Sequence, residues 1–400
     1  SIPVFLSIMK TFINFVRYPF LIYGIVGIRL FDWNPEQTFS KTRTFFEFVL
    51  LLNLLLILTT KLSYTLFGEF ENYKDITLFI SYWAFLLNSM AKFTTLWLGR
   101  TILEKSYRQL ESSFPSSIAL QNDYRLNDYY KQNNYLQKML SILHFGTLLM
   151  FNFMPLMQSV YEYFSAAKEQ RVFIYRLSYM LYYPFDETRP ITYAFVYLQQ
   201  CFGAFSLSCF FMGSDLLLIA LVSQINMHLE YLSKRILEIK LNGTDEDIKE
   251  LASVISYHKD ILLSCEKIEQ TFSPSILLNF CASGFVICMM AVQIVSGVDG
   301  IIFLKFVCFL ITTQAHVYYI CHFGTNLITL STDISDAFCH HQWYNANVKY
   351  QKMLPLAIAR AQKPVYLTAN KFFIVSMTSF KTLMTTSYQF FTLLSSTLTE

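Results

Sequence analysis

The densest run of chemically capable side chains lies near the end of the sequence, in "MTSFKTLMTTSYQFFTLLSSTL", residues 377–398. Thr378, Thr382, Thr385, Gln389, Thr392 and Ser396 repeat there at spacings of four, three, four, three and four. On a helix turning about 100° per residue, these six side chains fall within about 40° of one line. Met377, Phe380, Met384, Phe391, Leu394 and Leu398 collect on the opposite side. Hydroxyls and an amide can hold a hydrated ion without binding it tightly. In a bilayer such a stripe has to face water or other protein. Two readings follow: the hydroxyls pack one helix against another, or they wall a water-filled path.

Other reactive types are present without the company they need. "CHHQW" sets Cys339, His340 and His341 side by side, but adjacent histidines on a helix point about 100° apart and no second ligand pair stands at a zinc spacing. No metal or cofactor is expected. His316 and His322 in "AHVYYICHF" read as packing or hydrogen-bonding groups. There is no P-loop, no G-x-S-x-G and no catalytic carboxylate pair, so no catalytic residue is assigned and the chain does not read as an enzyme. Acids within the apolar runs are limited to Glu47 and Asp215. Lys305 and Lys381 also fall in apolar runs, where a charge is costly. Lys305 is expected to snorkel from an outer helix end, and Lys381 to meet a wet cavity near the inner end. The eight scattered cysteines show no disulfide framework and read as small buried apolar groups. "NGT" at 242–244 matches a glycosylation acceptor but falls in a segment read below as cytoplasmic.

The elements that position these groups are membrane helices. Only 15% of the 400 residues are charged and 54% are hydrophobic, against about 25% charged in soluble domains. Seven stretches reach the roughly 20 apolar residues that a bilayer core requires: 45–66, 76–98, 139–160, 191–215, 276–298, 301–327 and 372–396. With the N-terminus inside, 22 of the 31 lysines and arginines fall in 1–44, 99–138, 223–272 and 328–371. The other connections hold Lys74, Lys168, Arg171, Arg176 and Arg189, and "GEFENYKD" is net acidic. The positive-inside rule therefore puts the N-terminus in the cytoplasm and the C-terminus outside. Residues 1–30 show no short apolar core followed by a cleavage site, and their mixture of basic and aromatic residues reads as an interfacial helix.

The cytoplasmic segments carry helical patterns of their own. Span four runs on through "LLLIALVSQINMHLEYLSKRILEIK" until "NGT", with Gly243 as the stop and Thr244 as the next N-cap. Thr244 and Asp247 form a capping-box pattern with Asp in place of Glu. Ile248, Leu251, Ile255, His258, Leu262 and Cys265 then make an apolar seam in search of a partner outside the membrane. "AFCHHQWYNANVKYQKMLPLAIARAQKP" is likewise amphipathic. This much helix below the bilayer points to an assembly platform. Leu251, Ile255 and Leu262 are the expected contacts.

At its C-terminal end the chain resembles the insect odorant receptors. The resemblance rests on Arg360 and Pro364 in "RAQKP", Phe380 in "TSFKTLM", and Ser387, Tyr388, Phe391 and Leu394 in "SYQFFTLL". Trp343 and Tyr344 in "HHQWY" fit the same family, and length, seven spans and inverted orientation fit along the chain. The loop lengths and tail resemble a ligand-tuned subunit and not the shared co-receptor. The resemblance implies a subunit of a ligand-gated, non-selective cation channel that opens on binding a small volatile, hydrophobic molecule. It implies assembly with the co-receptor as a heterotetramer in the plasma membrane of olfactory sensory neurons. Last spans would line one central pore, and cytoplasmic helices, with Trp343 and Tyr344, would join subunits. Aligned on Phe390–Phe391, Leu393 and Ser396 fall where the family places its outer gate, with Thr397 at its edge. With the stripe residues Gln389 and Thr392 they are the expected pore lining.

The ligand site is expected in the outer half of the helical bundle. Phe79, Tyr82 and Trp83 share a face of span two. Span three adds Met150, Phe153 and Met154, span four Tyr197 and Gln200, and span six Phe306 and Phe309. An aromatic and methionine lining with one or two polar groups suits a weakly polar volatile. The expected fold is all-α, a multi-pass membrane protein of seven transmembrane helices with cytoplasmic helical extensions. It is one domain over 1–400: a cytoplasmic or interfacial segment 1–44, spans one to six with the pocket at 45–327, cytoplasmic anchor helices at 328–371 and the pore-lining span at 372–398. The partners are the co-receptor, lipid, cations and the volatile ligand, with no nucleic acid. The alternative is a metabotropic seven-helix or gustatory-type receptor.

Overall fold

A computed structural model of the chain describes residues 9–31, 41–70, 72–165, 171–295, 297 and 300–399. Lys168 and Asp299, two residues of the expected exterior loops, lie outside the described residues, as does much of the 1–44 segment. The chain is all-α apart from one small hairpin. In order it forms α1 (Ile13–Ile25), α2 (Lys41–Phe67), α3 (Tyr73–Ser112), α4 (Ile118–Asp123) and α5 (Leu126–Ser165). Then come α6 (Pro190–Leu237), α7 (Asp245–Val295), α8 (Gly300–His340), α9 (Val348–Ala361) and α10 (Met377–Thr399).

Among the described residues six helices, α2, α3, α5, α6, α7 and α8, are long and apolar enough to cross a membrane. The seventh expected span is α10. Its 23 residues reach about 35 Å, enough for a bilayer core, but its hydroxyl stripe leaves it less apolar than the other six. Several helices run well past the apolar windows. α3 continues to Ser112, α5 starts at Leu126 and not near 139, and α8 runs on to His340. Hydropathy marks only the part that lipid touches, and an amphipathic pattern without a breaker continues the same helix beyond it.

α6 is the axis of the bundle. Every residue from Ser206 to Leu229 is buried, with α1, α2, α3, α5, α7 and α8 packed around it. A helix apolar on all sides needs such a position. α3 and α7 form the most extensive pairing, stitched by Asn88 Nδ2 donating to Asn279 Oδ1 at 2.9 Å and Ser106 Oγ donating to the Ser264 carbonyl at 3.0 Å.

Two expected boundaries need correction. α6 ends at Leu237, before Gly243, and Gly243 instead turns the connection with φ +74°. Asp247 Oδ2 then accepts the backbone N–H groups of Gly243 at 2.8 Å and Thr244 at 3.2 Å, so the acidic arm of the capping pattern is made. The last helix starts at Met377 and not at 372, because the chain first doubles back. Strands β1 (Thr368–Ala369) and β2 (Phe373–Ile374) pair antiparallel, with Thr368 opposite Ile374. Asn370 and Lys371 take left-handed φ of 49° and 64° at the turn. Ser273 Oγ of α7 donates to the Thr368 carbonyl at 2.7 Å, which ties this hairpin to the bundle ahead of α10.

The α7 seam is buried in part within the chain. Leu251 has no exposed surface within a single chain, and His258 and Cys265 are buried with it. Leu251 and Cys265 share one core with Leu103, Tyr107 and Leu110 of α3. Part of the seam thus packs inside its own chain. Ile255 and Leu262 are half-buried.

Candidate functional site

A cavity opens in the bundle between α3, α5, α6, α7 and α8. Its volume is about 70 Å³, room for one small organic molecule. Its walls are Tyr82 and Phe85 of α3, Phe151 of α5, Phe211 of α6, Met290 of α7 and Phe309 of α8. Eleven of the twenty lining residues are aromatic or aliphatic, and the other nine are Ser, Thr, Asn or His. Tyr179, in the connection between α5 and α6, also lines it.

Gln200 holds Tyr179 in place. Its Oε1 accepts the Tyr179 N–H at 3.1 Å and its Nε2 donates to the Tyr179 carbonyl at 3.2 Å. Gln200 itself lines a second, smaller hollow, walled also by Tyr82, Phe85 and Tyr179, with Lys61 of α2 on its far side. The aromatic face Phe79, Tyr82 and Trp83 is cupped around that lysine. Its ammonium lies 4.8, 5.3 and 5.8 Å from the three ring centroids.

Below the rings the cavity has a polar side. Lys92 of α3 pairs with Asp215 of α6 at 2.7 and 2.8 Å, and His316 Nδ1 of α8 lies 2.9 Å from Asp215 Oδ2. All three are buried. The Lys92 ammonium also sits 3.4 Å from the Phe211 ring centroid. His144 of α5 stacks on the other aromatic surface nearby, nearly parallel to Phe211 with 5.4 Å between centroids. Charge placed at this depth survives only when paired and hydrogen-bonded, and the triad supplies both. One salt-bridged cluster thus ties three helices together at the cavity.

α10 is one-sided. Thr378, Thr382, Thr385, Gln389, Thr392 and Ser396 are all exposed, while Met377, Phe380, Met384, Phe391 and Leu394 are half-buried. The apolar back packs on α7 and α8. Close approach is possible because Gly284 of α7 has no Cβ: one built there would meet Leu383 Cδ1 at 2.9 Å and Ser387 Oγ at 3.3 Å. Several stripe hydroxyls satisfy themselves on their own helix, Thr392 donating to the Gln389 carbonyl and Ser396 to the Leu393 carbonyl, each at 2.8 Å.

The sequence profile described as "7tm Odorant receptor" matches residues 74–388, most of the chain. The chain belongs to the odorant receptor family. It is 29% identical to Odorant receptor 85c of Drosophila melanogaster over 393 residues, covering 95% of this chain and 98% of that one. It is 27% identical to Odorant receptor 67c of the same organism, covering 97% of both. Its fold matches the insect olfactory receptor OR5 of Machilis hrabei, solved in complex with eugenol, with a TM-score of 0.80 at 17% identity over 95% of this chain and 97% of that one. The family is one of chemoreceptors and not of enzymes.

Of the residues expected to hold the odorant, this receptor brings Tyr82 and Phe309 to the main cavity and Gln200 to the second. Met154 lines a separate, more open hollow beside Arg176 and Lys305. Phe306 is buried behind the wall with Phe151, Val286 and Met290. Phe79 packs on Tyr64 and Phe70, and Trp83 Nε1 donates to Thr65 Oγ1 at 3.2 Å. Tyr197 donates its hydroxyl to the Asn152 carbonyl at 2.7 Å, while Phe153 is exposed and Met150 half-buried. These seven do not line the main cavity, because helical spacing fixes a face but not which neighbour that face meets. Phe85, Phe211, Tyr179 and the contribution of α7 were not legible. Lys305 does not snorkel: it is buried, 4.4 Å from the Phe151 ring centroid and 5.4 Å from that of Phe306.

At the other end of the receptor, Trp343 and Tyr344 form a single 3-10 turn and remain 38% and 64% exposed. His341 beneath them spends both nitrogens, Nδ1 donating to the Phe338 carbonyl and Nε2 accepting from Tyr350 Oη, each at 2.8 Å. Burial pushes its pKa below the ordinary 6.5. His340 Nδ1 donates to the Asp336 carbonyl. Both histidines of "CHHQW" therefore serve the local fold.

Proposed function

We propose that this receptor is the odorant-binding subunit of a ligand-gated, non-selective cation channel. It assembles with the co-receptor as a heterotetramer in the plasma membrane of olfactory sensory neurons, with the N-terminus inside and the C-terminus outside. The observation that carries the reading is the division of α10, whose hydroxyl stripe is exposed along its whole length while its apolar back packs on its own chain. A polar stripe of membrane length left uncovered by one chain needs water or further subunits in front of it. Gln389, Thr392, Leu393, Ser396 and Thr397 then line the ion path, where hydroxyls hydrate a passing cation and Leu393 supplies an apolar ring. Trp343 and Tyr344, exposed at the far end, join subunits. The enclosed aromatic cavity takes the volatile, in keeping with the eugenol bound by the Machilis hrabei receptor.

The test is expression with and without the co-receptor, with currents recorded across a volatile panel. A reversible, non-selective cation current that appears only with both subunits supports the reading. An epitope on the C-terminus should be labelled on unpermeabilised cells. A response that survives only through G-protein signalling, with the C-terminus inside, would replace it by the metabotropic alternative.

A further inference from the structure

The cavity's polar side has hydrogen-bonding capacity that the protein does not use. His316 lines the cavity, has no exposed surface, and its Nε2 has no hydrogen-bond partner among the described residues. His144 lines the cavity too, is 7% exposed, and neither ring nitrogen has a partner there. The two rings are 5.4 Å apart between centroids. Buried polar atoms almost always find a partner, so an orphan cluster beside an empty space points to something that enters that space.

The chemistry of the missing partner follows from the tautomer. Asp215 faces His316 Nδ1 at 2.9 Å, and a carboxylate only accepts, so Nδ1 carries the proton. Lys92 already balances the Asp215 charge at 2.7 Å, and a second cation at this depth would stand uncompensated. His316 is therefore neutral, and Nε2 presents a lone pair. It is an acceptor that wants a donor. His144, neutral beside it, offers one N–H and one lone pair. Ketones, esters and ethers have no hydrogen to give. A hydroxyl has one, and its oxygen can accept from His144 in return.

We propose that the cavity selects small, mainly apolar molecules bearing a hydroxyl group, which donates to His316 Nε2 and accepts from His144. The Lys92–Asp215 pair acts behind His316 as a positioning device that fixes the tautomer. This inference rests on the reading of the cavity as the odorant site.

The test uses the receptor co-expressed with the co-receptor and two matched series: benzyl alcohol, its methyl ether and toluene; cyclohexanol, its methyl ether and cyclohexanone. The expected result is that each alcohol activates at a concentration about tenfold or more below its partners. His316→Asn retains an N–H for Asp215 but lacks the Nε2 acceptor. It should remove most of the alcohol advantage, read as the ratio of alcohol to ether potency on the same variant. Equal potency of alcohol and ether on the parent receptor overturns the proposal, and this comparison needs no variant to fold. A His316→Asn variant at the surface with the alcohol preference intact also overturns it. Phe309→Ala separates the two layers. If it shifts every ligand while the alcohol preference is absent, the cavity is the site and only the hydroxyl proposal fails. If it shifts none, the cavity reading itself fails.

Discussion

α6 and α10 are both long enough to cross a bilayer, yet the fold uses them in opposite ways. α6 is covered on all sides by six other helices of its own chain and is buried without a break from Ser206 to Leu229. α10 is covered on one side only. α6 contains Asp215, the costliest kind of group for a membrane interior, and hides it completely. α10 contains mild hydroxyls and leaves them open. The polarity a helix carries does not by itself say what that helix faces. Asp215 can be buried because Lys92 brings the opposite charge and His316 a hydrogen-bond donor, from two other helices. Thr382, Thr392 and Ser396 need no such partners, since carbonyls of their own helix accept from them, and so the stripe can stay free for water.

The sharpest way to break this contrast is to unbalance the centre of α6. Lys92→Met leaves the Asp215 carboxylate with His316 alone. We expect a loss of about 3–5 kcal/mol, read as collapse of surface expression and of the melting temperature of purified receptor. Lys92→Met combined with Asp215→Leu should recover much of that loss, because no buried charge remains uncompensated. A single variant that melts like the parent would show that the pair contributes little.

A smaller effect tests how tightly α6 is packed. A Cβ at Gly213 would lie 2.6 Å from Tyr23 Cε2, and Tyr23 is itself buried with its hydroxyl 3.3 Å from the Phe210 carbonyl. Gly213→Ala should cost about 1–3 kcal/mol by overpacking. Gly146→Ala on α5, where a Cβ would meet nothing within 4 Å, is the control and should change stability by less than about 1 kcal/mol. Equal melting temperatures for the two variants would count against α6 as the rigid axis.

The smallest effect on stability belongs to α10, where the readout is conduction. Cysteines at Thr392 and Ser396 should fold within about 0.5 kcal/mol of the parent and react with aqueous thiol reagents in the open channel. Cysteines at Phe391 and Leu394 should stay protected. Leu393→Ser should raise the basal leak, and Ser396→Lys should cut cation current by placing positive charge in the path. The reverse pattern of cysteine accessibility would make the stripe a helix-packing surface, and the division between α6 and α10 would vanish.

Periodicity made part of this receptor legible in one dimension. Six of the seven apolar windows fall on helices long and apolar enough to cross a membrane, and the four-three spacing of Thr378 to Ser396 marked the face of α10 that the fold leaves open. Local chemistry was legible for the same reason: Asp247 closes the α7 start because donor and acceptor are four residues apart or fewer. What the sequence could not carry was the identity of neighbours across the bundle. Lys92 and Asp215 are 123 residues apart, and His316 is another 101 beyond Asp215, so no spacing rule pairs them. The α7 seam around Leu251 announced that it needed an apolar partner, but its pattern reads the same whether that partner is α3 or a second subunit. The cavity is the extreme case. Tyr82 and Phe309 reach it while Phe79 and Phe306, three residues away on the same helices, pack into the wall, and only the rotation and crossing of whole helices decided which.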